Sequence, residues 1–303
     1  MDMNRQATTK QRKVAVLMGG TSAEREVSQR SGAAIAKGLR AKGWDVAEVD
    51  VRSRGLDGLP DAIDVAFIAL HGEFGEDGQI QRLLERRGVR YTGSSPEASE
   101  AAFDKRRCKR ILAGRAIPTP AYEVLKAGQP RGLPLPVVLK PPCQGSSIGV
   151  HRVFREGEWD AAFGDASRYG DEVLVEAYIQ GRELTVGIVG GQCLPVVEII
   201  APGDCYDYGA KYTPGKTRYV VPAELDGITS RRCQDAALRT FEALGCRGMG
   251  RVDIRLGQDG VPYVLELNSI PGFTELSLLP KAAAAAGIAF PDLCHRIAES
   301  ALA

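Results

Sequence analysis

The chain lacks the features that define several large classes of protein. Its 39 lysines and arginines almost equal its 38 aspartates and glutamates, so the formal net charge of +1 provides no overall field to attract nucleic acid or an anionic membrane. The seven cysteines include no C-x-x-C pair, which argues for reduced thiols rather than a disulfide framework or a zinc site. No segment approaches the roughly 18 apolar residues of a membrane helix, and residues 1–13 lack the apolar region of a signal peptide. We therefore expect a cytoplasmic protein with no nucleic-acid or membrane partner.

Two common nucleotide-binding motifs are also absent. No G-x-x-x-x-G-K-[ST] sequence occurs, and the glycine-rich segment 19–24 lacks the G-x-G-x-x-G order of a dinucleotide fingerprint, which opposes a dehydrogenase. The 303 residues, 44% hydrophobic and 25% charged, are typical of a globular protein with two or three domains. Because the net charge of the chain is close to zero, any site for an anion must depend on a local group of residues.

The first ninety-odd residues alternate between strand and helix patterns. Such alternation is typical of a parallel, doubly wound unit, in which ligands bind at the carboxyl ends of the strands. The turns Gly19-Gly20 and His71-Gly72 both lie at such ends. The predicted strands are residues 14–18, 45–51 and 65–70, and the predicted helix is residues 79–87.

We expect the chain to divide into four parts. These are a flexible tail at residues 1–13, an α/β domain at 14–100, a small central α+β domain at 101–180 and a last domain at 181–303. Within the last domain, segment 202–222 is rich in glycine, proline, tyrosine and lysine, and so long a structureless run in a compact enzyme is usually a lid. Lys211 and Tyr212 in this segment are explained equally well by ordinary loop packing.

Two segments near the end of the chain predict a hairpin with one apolar and one polar face. If Asp259-Gly260 is a two-residue turn, Asp253 lies opposite Glu266, and Asn268 follows on the same face. Two carboxylates and an amide oxygen suit Mg²⁺ or Mn²⁺, although a solvated polar face explains these residues equally well. The predicted apolar face consists of Val252, Ile254, Leu256, Tyr263, Leu265 and Leu267.

Lys140 ends an apolar strand and precedes a loop rich in glycine and serine, residues 141–149. An ammonium group and several backbone N–H groups would meet there, which is an arrangement that binds phosphate. A plain connecting loop would account for the same residues equally well.

Three further candidate side chains also have ordinary explanations. Lys105 lies in a run of charged residues that is typical of a solvated helix face. Glu24 forms a capping-box pattern with Thr21, which would make it structural. His71 is a single histidine, but its position before a glycine at a strand end favours contact with a ligand.

The motifs occur together in one order along the chain. They are residues 19–28, 71–72, 140–141 with 145–147, 206–208 with 211–212, 250–253, 266–268 and 271–272. This set resembles the D-alanine–D-alanine ligase family of the ATP-grasp superfamily, from about residue 14 to the C terminus. The resemblance implies a three-domain ATP-grasp fold, α/β and in part α+β, in which a doubly wound, Rossmann-like N-terminal domain precedes the two ATP-grasp domains. ATP would lie between the middle and last domains.

The resemblance also implies a reaction. ATP would phosphorylate the carboxylate of one D-alanine, and the amine of a second D-alanine would displace phosphate from that acyl phosphate. The product, D-alanyl-D-alanine, would supply peptidoglycan precursor synthesis, and the enzyme would be a homodimer. A ligase that takes D-lactate or D-serine as its second substrate, and a non-catalytic nucleotide-binding protein on the same fold, remain as alternatives.

The family's nucleotide-binding and metal-binding positions carry over residue by residue. The phosphates would contact Lys105, Lys140, Ser147 and Lys211. The adenine-binding segment matches Glu176 and Ile179, and the ribose ligand matches Glu183. Two Mg²⁺ or Mn²⁺ ions would be held by Asp253, Glu266 and Asn268.

The positions for the amino acids carry over in the same way. The first D-alanine would contact Glu24, Ser28 and His71, and the second would contact Ser277 and Leu278. The lid would be held shut by a hydrogen-bonded triad of Glu24, Ser146 and Tyr212. The oxyanion would be bound by Arg251 and the backbone N–H of Gly272.

Three positions depart from the family's pattern. Ala177 stands where a charged residue often lies beside the adenine, so a side-chain contact to the base is in doubt. Gly209 is smaller than usual and would make the lid more flexible. Glu275-Leu276 replaces a small polar residue and histidine, which leaves the second amino-acid subsite less defined than the first.

Overall fold

The structure of the protein is a computed structural model that describes residues 11–201 and 217–303. Within these residues, helices pack around three sheets. No helix in the described part of the chain is long and apolar enough to cross a membrane. Gly209, Lys211, Tyr212 and most of the expected lid lie outside the described residues, so what was expected of them stays a prediction.

The first sheet is parallel, as the alternating pattern predicts. Strand β1 (Lys13–Gly19) lies between β2 (Asp45–Val51) and β3 (Val65–Ile68), and helix α1 (Arg25–Ala41) packs against β1. Because parallel strands share one carboxyl edge, the turns that follow β1 and β3 lie side by side. Helices α2 (Gln79–Arg86) and α3 (Pro96–Phe103) follow this sheet.

The second sheet is antiparallel and has the strand order β4-β7-β5-β6. Helix α4 (Lys105–Gly114) precedes it, and helix α5 (Trp159–Ala166) packs against β5 and β6. Lys140 is the last residue of β5, so the glycine- and serine-rich loop begins where that strand ends. The strands are β4 (Tyr122–Lys126), β5 (Val137–Lys140), β6 (His151–Val153) and β7 (Glu172–Ala177).

The third sheet is also antiparallel and has the order β11-β10-β8-β12-β13, with β9 paired to β8. Helix α6 (Gly227–Ala243) covers its apolar face, and the side chain of Asp226 caps this helix by accepting from the N–H groups of Ile228 and Thr229. The strands are β8 (Gly181–Val189), β9 (Gln192–Cys193), β10 (Val197–Ile200), β11 (Arg218–Val220), β12 (Met249–Gly257) and β13 (Pro262–Asn268).

The hairpin of β12 and β13 has the predicted pairing but not the predicted turn. Asp253 lies opposite Glu266, as expected. The predicted two-residue turn was wrong: the N–H of Gly257 bonds to the carbonyl of Val261 at 2.9 Å, which leaves a loop of three residues. An irregularity in the ladder next to Asp253 leaves Leu265 as an extra residue on β13 and restores the pairing of the polar residues.

This bulge also changes which side chains of β13 reach the core. Val264 is fully buried in the apolar cluster with Val252 and Ile254, whereas Leu265 faces a cavity. Tyr263 is only partly buried, and its hydroxyl donates to Asp259 at 2.8 Å. The expected apolar face was therefore wrong at Tyr263 and Leu265, because strict alternation does not hold across a bulge.

The last two helices pack back onto the first sheet. Helix α7 (Leu278–Ala285) lies against β8, and helix α8 (Phe290–Ser300) lies against α1. Leu279 and Ile297 belong to the same buried cluster as Leu17 of β1. This shared core fixes the edge of the first sheet beside the end of the third.

Candidate active site

A first cavity lies between the second and third sheets, beside the loop that follows β5. Its wall includes residues from α4, β7, β8 and the β12–β13 hairpin. It brings together all the residues predicted to bind a nucleotide except Lys211, which lies outside the described residues, and two of those predicted to bind metal. These residues are Lys105, Lys140, Ser147, Glu176, Ile179, Glu183, Asp253 and Glu266.

The glycine- and serine-rich loop has a strained backbone and is tied to α4. Ser146 and Ser147 have φ angles of 52° and 60°, in the left-handed region that side-chain-bearing residues rarely adopt. Such strain is concentrated at ligand-binding sites, where the surroundings must hold it in place. Lys105 donates from Nζ to the carbonyl of Gln144 at 2.7 Å and lies 3.1 Å from Oε2 of Glu266. Lys105 therefore connects the loop to the hairpin.

A buried charge cluster forms the floor of this cavity. Glu176 is 1% exposed and lies between two ammonium groups, with Lys109 Nζ 2.5 Å from Oε1 and Lys140 Nζ 2.6 Å from Oε2. Burial alone would raise the pKa of Glu176, but Lys109 and Lys140 hold that pKa below its ordinary value. Burial lowers the pKa of Lys109, against the opposing effect of Glu176.

The far end of the cavity is formed by the connection between β7 and β8. Glu183 accepts a hydrogen bond from Nη1 of Arg255 at 3.1 Å, and the guanidinium of Arg255 lies 6.0 Å from the ring centre of Tyr178. Ile179 and Ala177 lie on the same wall. An apolar wall next to a carboxylate can take a flat, partly polar ring and its sugar.

The polar face of the hairpin carries the predicted metal ligands. Asp253 accepts two hydrogen bonds from Arg251, at 2.9 and 2.8 Å, one from Thr185 at 2.6 Å and one from the amide of Asn268 at 3.1 Å. The negative charge of Glu266 is balanced by the ammonium group of Lys105. Within residues 11–201 and 217–303, histidine, cysteine and acidic side chains form no metal-binding group of three or more. The two carboxylates and the amide oxygen of Asn268 are hard donors that suit a cation which takes its other ligands from water or phosphate.

A second cavity lies where the carboxyl edge of the first sheet meets the end of the third. It brings together most residues predicted to bind the amino acids, which are Glu24, His71, Ser146, Arg251, Gly272, Ser277 and Leu278, and it also includes Asn268. The hydroxyl of Ser146 donates to Oε1 of Glu24. Two members of the predicted triad are thus in contact across two sheets.

The first-sheet side of the second cavity holds two groups with shifted pKa values. His71 is 5% exposed, and its ring nitrogens lie 3.1 Å from the carbonyl of Ile270 and 3.2 Å from Oγ of Ser31. Burial lowers the pKa of His71, although nearby Glu24 opposes this, so the imidazole is neutral near pH 7. Burial, with a contribution from Glu24, raises the pKa of Glu76 to about 8.

The loop before α7 forms the opposite wall. Oγ of Ser277 accepts a hydrogen bond from the N–H of Thr274 at 3.0 Å and lies 2.9 Å from its hydroxyl. Gly272 lies beside Ser277, and a Cβ added to Gly272 would meet Oγ of Ser277 at 3.4 Å. Leu276 is 77% exposed at the rim of this cavity. The loop therefore offers a hydroxyl, a small residue and an exposed apolar group to the cavity.

The two cavities meet along two elements of structure. On the hairpin, Asp253 and Glu266 line the first cavity, whereas Arg251 lines the second. On the loop after β5, Ser147 lines the first cavity and Ser146 the second. An anionic group held in the first cavity would therefore lie next to a small molecule held in the second, which is the geometry that group transfer requires.

Comparison with known proteins decides the family. A model of the D-ala D-ala ligase C-terminus matches residues 121–299, and a model of the N-terminus matches residues 49–94. The D-alanine–D-alanine ligase of Syntrophotalea carbinolica is 48% identical over 291 residues, covering 95% of each chain. The chain belongs to the D-alanine–D-alanine ligase family.

Relatives in this family are similar in sequence and in structure. The D-alanine–D-alanine ligase of Methylacidiphilum infernorum is 46% identical, again over 95% of each chain. The crystal structure of the Bacillus anthracis ligase complexed with ATP is 34% identical, with a TM-score of 0.86 over 97% of this chain and 98% of that one. The VanG D-Ala:D-Ser ligase of Enterococcus faecalis is 27% identical, with a TM-score of 0.85 over 96% of this chain and 100% of that one. The predicted ATP-grasp fold of this ligase-family chain is confirmed.

Not every predicted site residue of this ligase-family chain lines a cavity. Ser28 is fully buried, and its Oγ accepts from the N–H of Gly19 at 2.9 Å and donates to the carbonyl of Ala69 at 2.8 Å. Ser28 thus ties α1 to the strand ends rather than facing the second cavity. Lys211 and Tyr212 lie outside the described residues. The chemical roles expected of all these residues stay predictions.

Two charged residues at or behind the cavities, Glu76 and Lys109, were not among the predicted site residues. The buried positions of α4 are Lys105, Cys108, Lys109 and Leu112, which recur at i, i+3, i+4 and i+7. This spacing marks the core-facing side of a helix and could have shown that two lysines are buried. Glu76 lies in the segment that follows His71, where its carboxylate accepts from the N–H of Gly72 at 2.8 Å. No comparable sequence signal marked Glu76.

Proposed function

We propose that this chain is an ATP-dependent ligase that joins two D-alanine molecules into D-alanyl-D-alanine and releases ADP and phosphate. The observation that carries this proposal is the contact between the two cavities along the hairpin and the loop after β5. One cavity is rich in cations beside an apolar wall, and the other offers carboxylate, imidazole and guanidinium groups. The names of the similar ligases support the same reaction.

The first half-reaction takes place across the junction of the cavities. ATP lies in the first cavity, and a carboxylate oxygen of the first D-alanine attacks the γ-phosphorus, so that the bond to ADP breaks and an acyl phosphate forms. Lys105 and Lys140 neutralise the phosphates, with Lys211 completing the set. Phosphoryl transfer depends mainly on such neutralisation and on in-line positioning.

We place a divalent cation, Mg²⁺ or Mn²⁺, at Asp253, Glu266 and Asn268. Asp253 lies opposite Glu266. The oxygen donors of these three residues would suit one such ion, or the two ions that the resemblance to the family implies. When bound, the metal supplies neutralisation of the phosphate charge. Arg251 and Lys105 balance these carboxylates in the protein alone.

The amino acids occupy the second cavity. Glu24 pairs with the ammonium of the first D-alanine, and neutral His71 lies near its carboxyl group. The second D-alanine is held at Ser277 and Leu278, and its amine attacks the acyl carbon.

Arg251 and the N–H of Gly272 stabilise the resulting oxyanion, which collapses to the peptide as phosphate leaves. A single oxyanion donor contributes about 3 to 4 kcal/mol in other enzymes. By its resemblance to the family, we also propose that the enzyme is a cytoplasmic homodimer.

The test is turnover by purified full-length protein with ATP, Mg²⁺ and D-alanine, scored by phosphate release and by the mass of the product. We expect phosphate release to depend on D-alanine and the product to be the dipeptide. Reactions with L-alanine alone, and with D-lactate or D-serine beside D-alanine, serve as controls. Equal turnover with L-alanine, or phosphate release without a dipeptide, would refute the proposal.

A further inference from the structure

We propose that Lys109 is a positioning residue for nucleotide binding, which acts through Glu176 to leave the charge of Lys140 available to the nucleotide phosphates. This inference deepens the proposed function and rests on it for the identity of the ligand. Lys109 is fully buried and is not part of the cavity wall, so it cannot touch a nucleotide itself. Its influence must pass through the residues that it contacts.

The contacts of Lys109 fix its place behind the cavity. Its Nζ lies 2.5 Å from Oε1 of Glu176 and donates to Oγ1 of Thr119 at 2.5 Å and to the carbonyl of Val264 at 3.2 Å. Thr119 in turn donates to the same carbonyl at 2.7 Å. These contacts join α4, β13 and the chain before β4 around a single ammonium group.

Charge counting shows what Lys109 contributes. Glu176 carries one negative charge and contacts two ammonium groups, Lys109 and Lys140. The cluster therefore has a net charge of +1. With Lys140 alone, the pair would be neutral, and Lys140 would be the only ammonium group in direct contact with the buried carboxylate. Because the attraction between buried opposite charges is strong, Glu176 would neutralise Lys140, and Lys140 would attract a phosphate more weakly.

The cluster borders the cavity, so its net positive charge acts on a ligand bound there. Glu176 and Lys140 both line the cavity, with Lys105 on the same wall. Lys105 and Lys109 are four residues apart on α4, so one face of this helix supplies one lysine to the cavity wall and one to the charge cluster behind it. Removal of Lys109 should therefore weaken nucleotide binding without changing how D-alanine is bound.

The experiment compares Lys109→Met with the double variant Lys109→Met/Glu176→Gln in the full-length protein. Isothermal titration calorimetry with ADP and Mg²⁺, in the absence of D-alanine, measures affinity apart from catalysis. We expect Lys109→Met to bind ADP about tenfold more weakly than the wild type, because one nearby positive charge is lost. The double variant should regain at least about fivefold of this loss, because Lys140 is then free of a charged partner. Inorganic pyrophosphate, which lacks the base that the segment of Glu176 is expected to contact, should show the same pattern of affinities.

Two controls separate this effect from a general loss of structure. Thr119→Val removes a hydrogen-bond partner of Lys109 but no charge, and Lys126→Met removes a positive charge from an exposed position on β4. Both should bind ADP within about twofold of the wild type. In turnover, Lys109→Met should raise the KM for ATP and leave the KM for D-alanine unchanged. Circular dichroism and thermal melting establish that each variant is folded.

Each outcome is decisive. If Lys109→Met binds ADP like the wild type, if Thr119→Val loses as much affinity, or if Glu176→Gln restores nothing, the inference is wrong. If Lys109→Met does not fold, the double variant, which removes the buried carboxylate together with Lys109, should still bind inorganic pyrophosphate within about twofold of the wild type, and weaker binding refutes the inference. A wild type that binds ADP but forms no dipeptide would refute the proposed function alone.

Discussion

Glu76 shows how one residue of the second cavity couples protonation to stability. Its carboxylate is partly buried, accepts from the N–H of Gly72 and lies near Glu24. Burial and that neighbouring carboxylate raise the pKa of Glu76 from 4.5 to about 8. Between these values the folded protein holds a proton that the unfolded chain releases. The contribution of Glu76 to folding stability therefore falls as the pH rises through this range.

Glu76→Gln should remove this pH dependence while keeping an oxygen that can accept from Gly72. Near pH 4.5 the variant and the wild type should be similarly stable. By pH 8.5 the variant should be more stable than the wild type by up to about 4 kcal/mol, because it has no carboxylate to bury. Urea unfolding at several pH values measures the difference. A difference that stays constant from pH 4.5 to 8.5 would contradict the raised pKa.

At the scale of residues, side chains that belong to a family motif could be predicted from the sequence. Side chains whose position depends on a partner far away in the chain could not. Lys105 and Glu24, which were singled out because each lies in a recognisable segment, line the two cavities. Lys109 was not identified, because its partner Glu176 is 67 residues away and a run of lysine and arginine looks like a solvated surface. Composition describes a segment, whereas burial depends on what the fold packs against it.

The loop between β5 and β6 is the element on which both cavities depend. Its strained residues Ser146 and Ser147 contribute to different cavities, and Gly149 ends the strained part with a φ of 66°. A Cβ on Gly149 would lie 2.7 Å from Cγ of Pro141 and 2.8 Å from the ring of Tyr169. The loop is therefore held in shape from both sides, which is how its strain is maintained.

Gly149→Ala should disturb this loop, and Gly164→Ala provides a matched control. Gly164 lies in α5, where an added Cβ would meet nothing within 4 Å. We expect Gly149→Ala to cost about 2 kcal/mol or more and to raise the KM for ATP severalfold. Gly164→Ala should stabilise the protein by about 0.5 to 1 kcal/mol and leave the KM unchanged. Urea unfolding and steady-state kinetics measure both, and an unchanged KM in Gly149→Ala would show that the loop shape does not matter.

The hairpin shows why elements were predicted more reliably than their details. Alternating side chains predicted both strands, whereas the pairing of Asp253 with Glu266 was predicted from a two-residue turn that the structure does not have. The sequence did not show that a three-residue loop and an extra residue, Leu265, compensate for each other. A bulge depends on contacts with neighbouring strands, here β8, and these contacts are absent from the local pattern.

At the scale of the whole molecule, the site depends on how the three sheets are held together. The second cavity needs the edge of the first sheet, which carries Glu24, beside the end of the third, which carries Arg251. Helices α7 and α8 hold these two edges together, because they follow the third sheet in the chain and share a buried core with the first sheet. The periodicity of a helix does not reveal which sheet the helix covers. The expected domain at 181–303 stays a prediction that unfolding can test.

The fluorescence of the two tryptophans can report how the domains unfold. Trp44 donates from its ring nitrogen to His295 of α8 at 3.0 Å, whereas Trp159 lies in α5 beside the second sheet. Ile297 is fully buried in the shared core. In a Trp159→Phe background, Ile297→Ala should lower the stability reported by Trp44 fluorescence in urea by about 2 to 5 kcal/mol, the usual cost of such a cavity. A far-ultraviolet signal that follows the same transition would show that the first and third sheets unfold together. If Ile297→Ala leaves the Trp44 transition unchanged, α8 belongs energetically to the last domain alone, and the shared core does not hold the second cavity together.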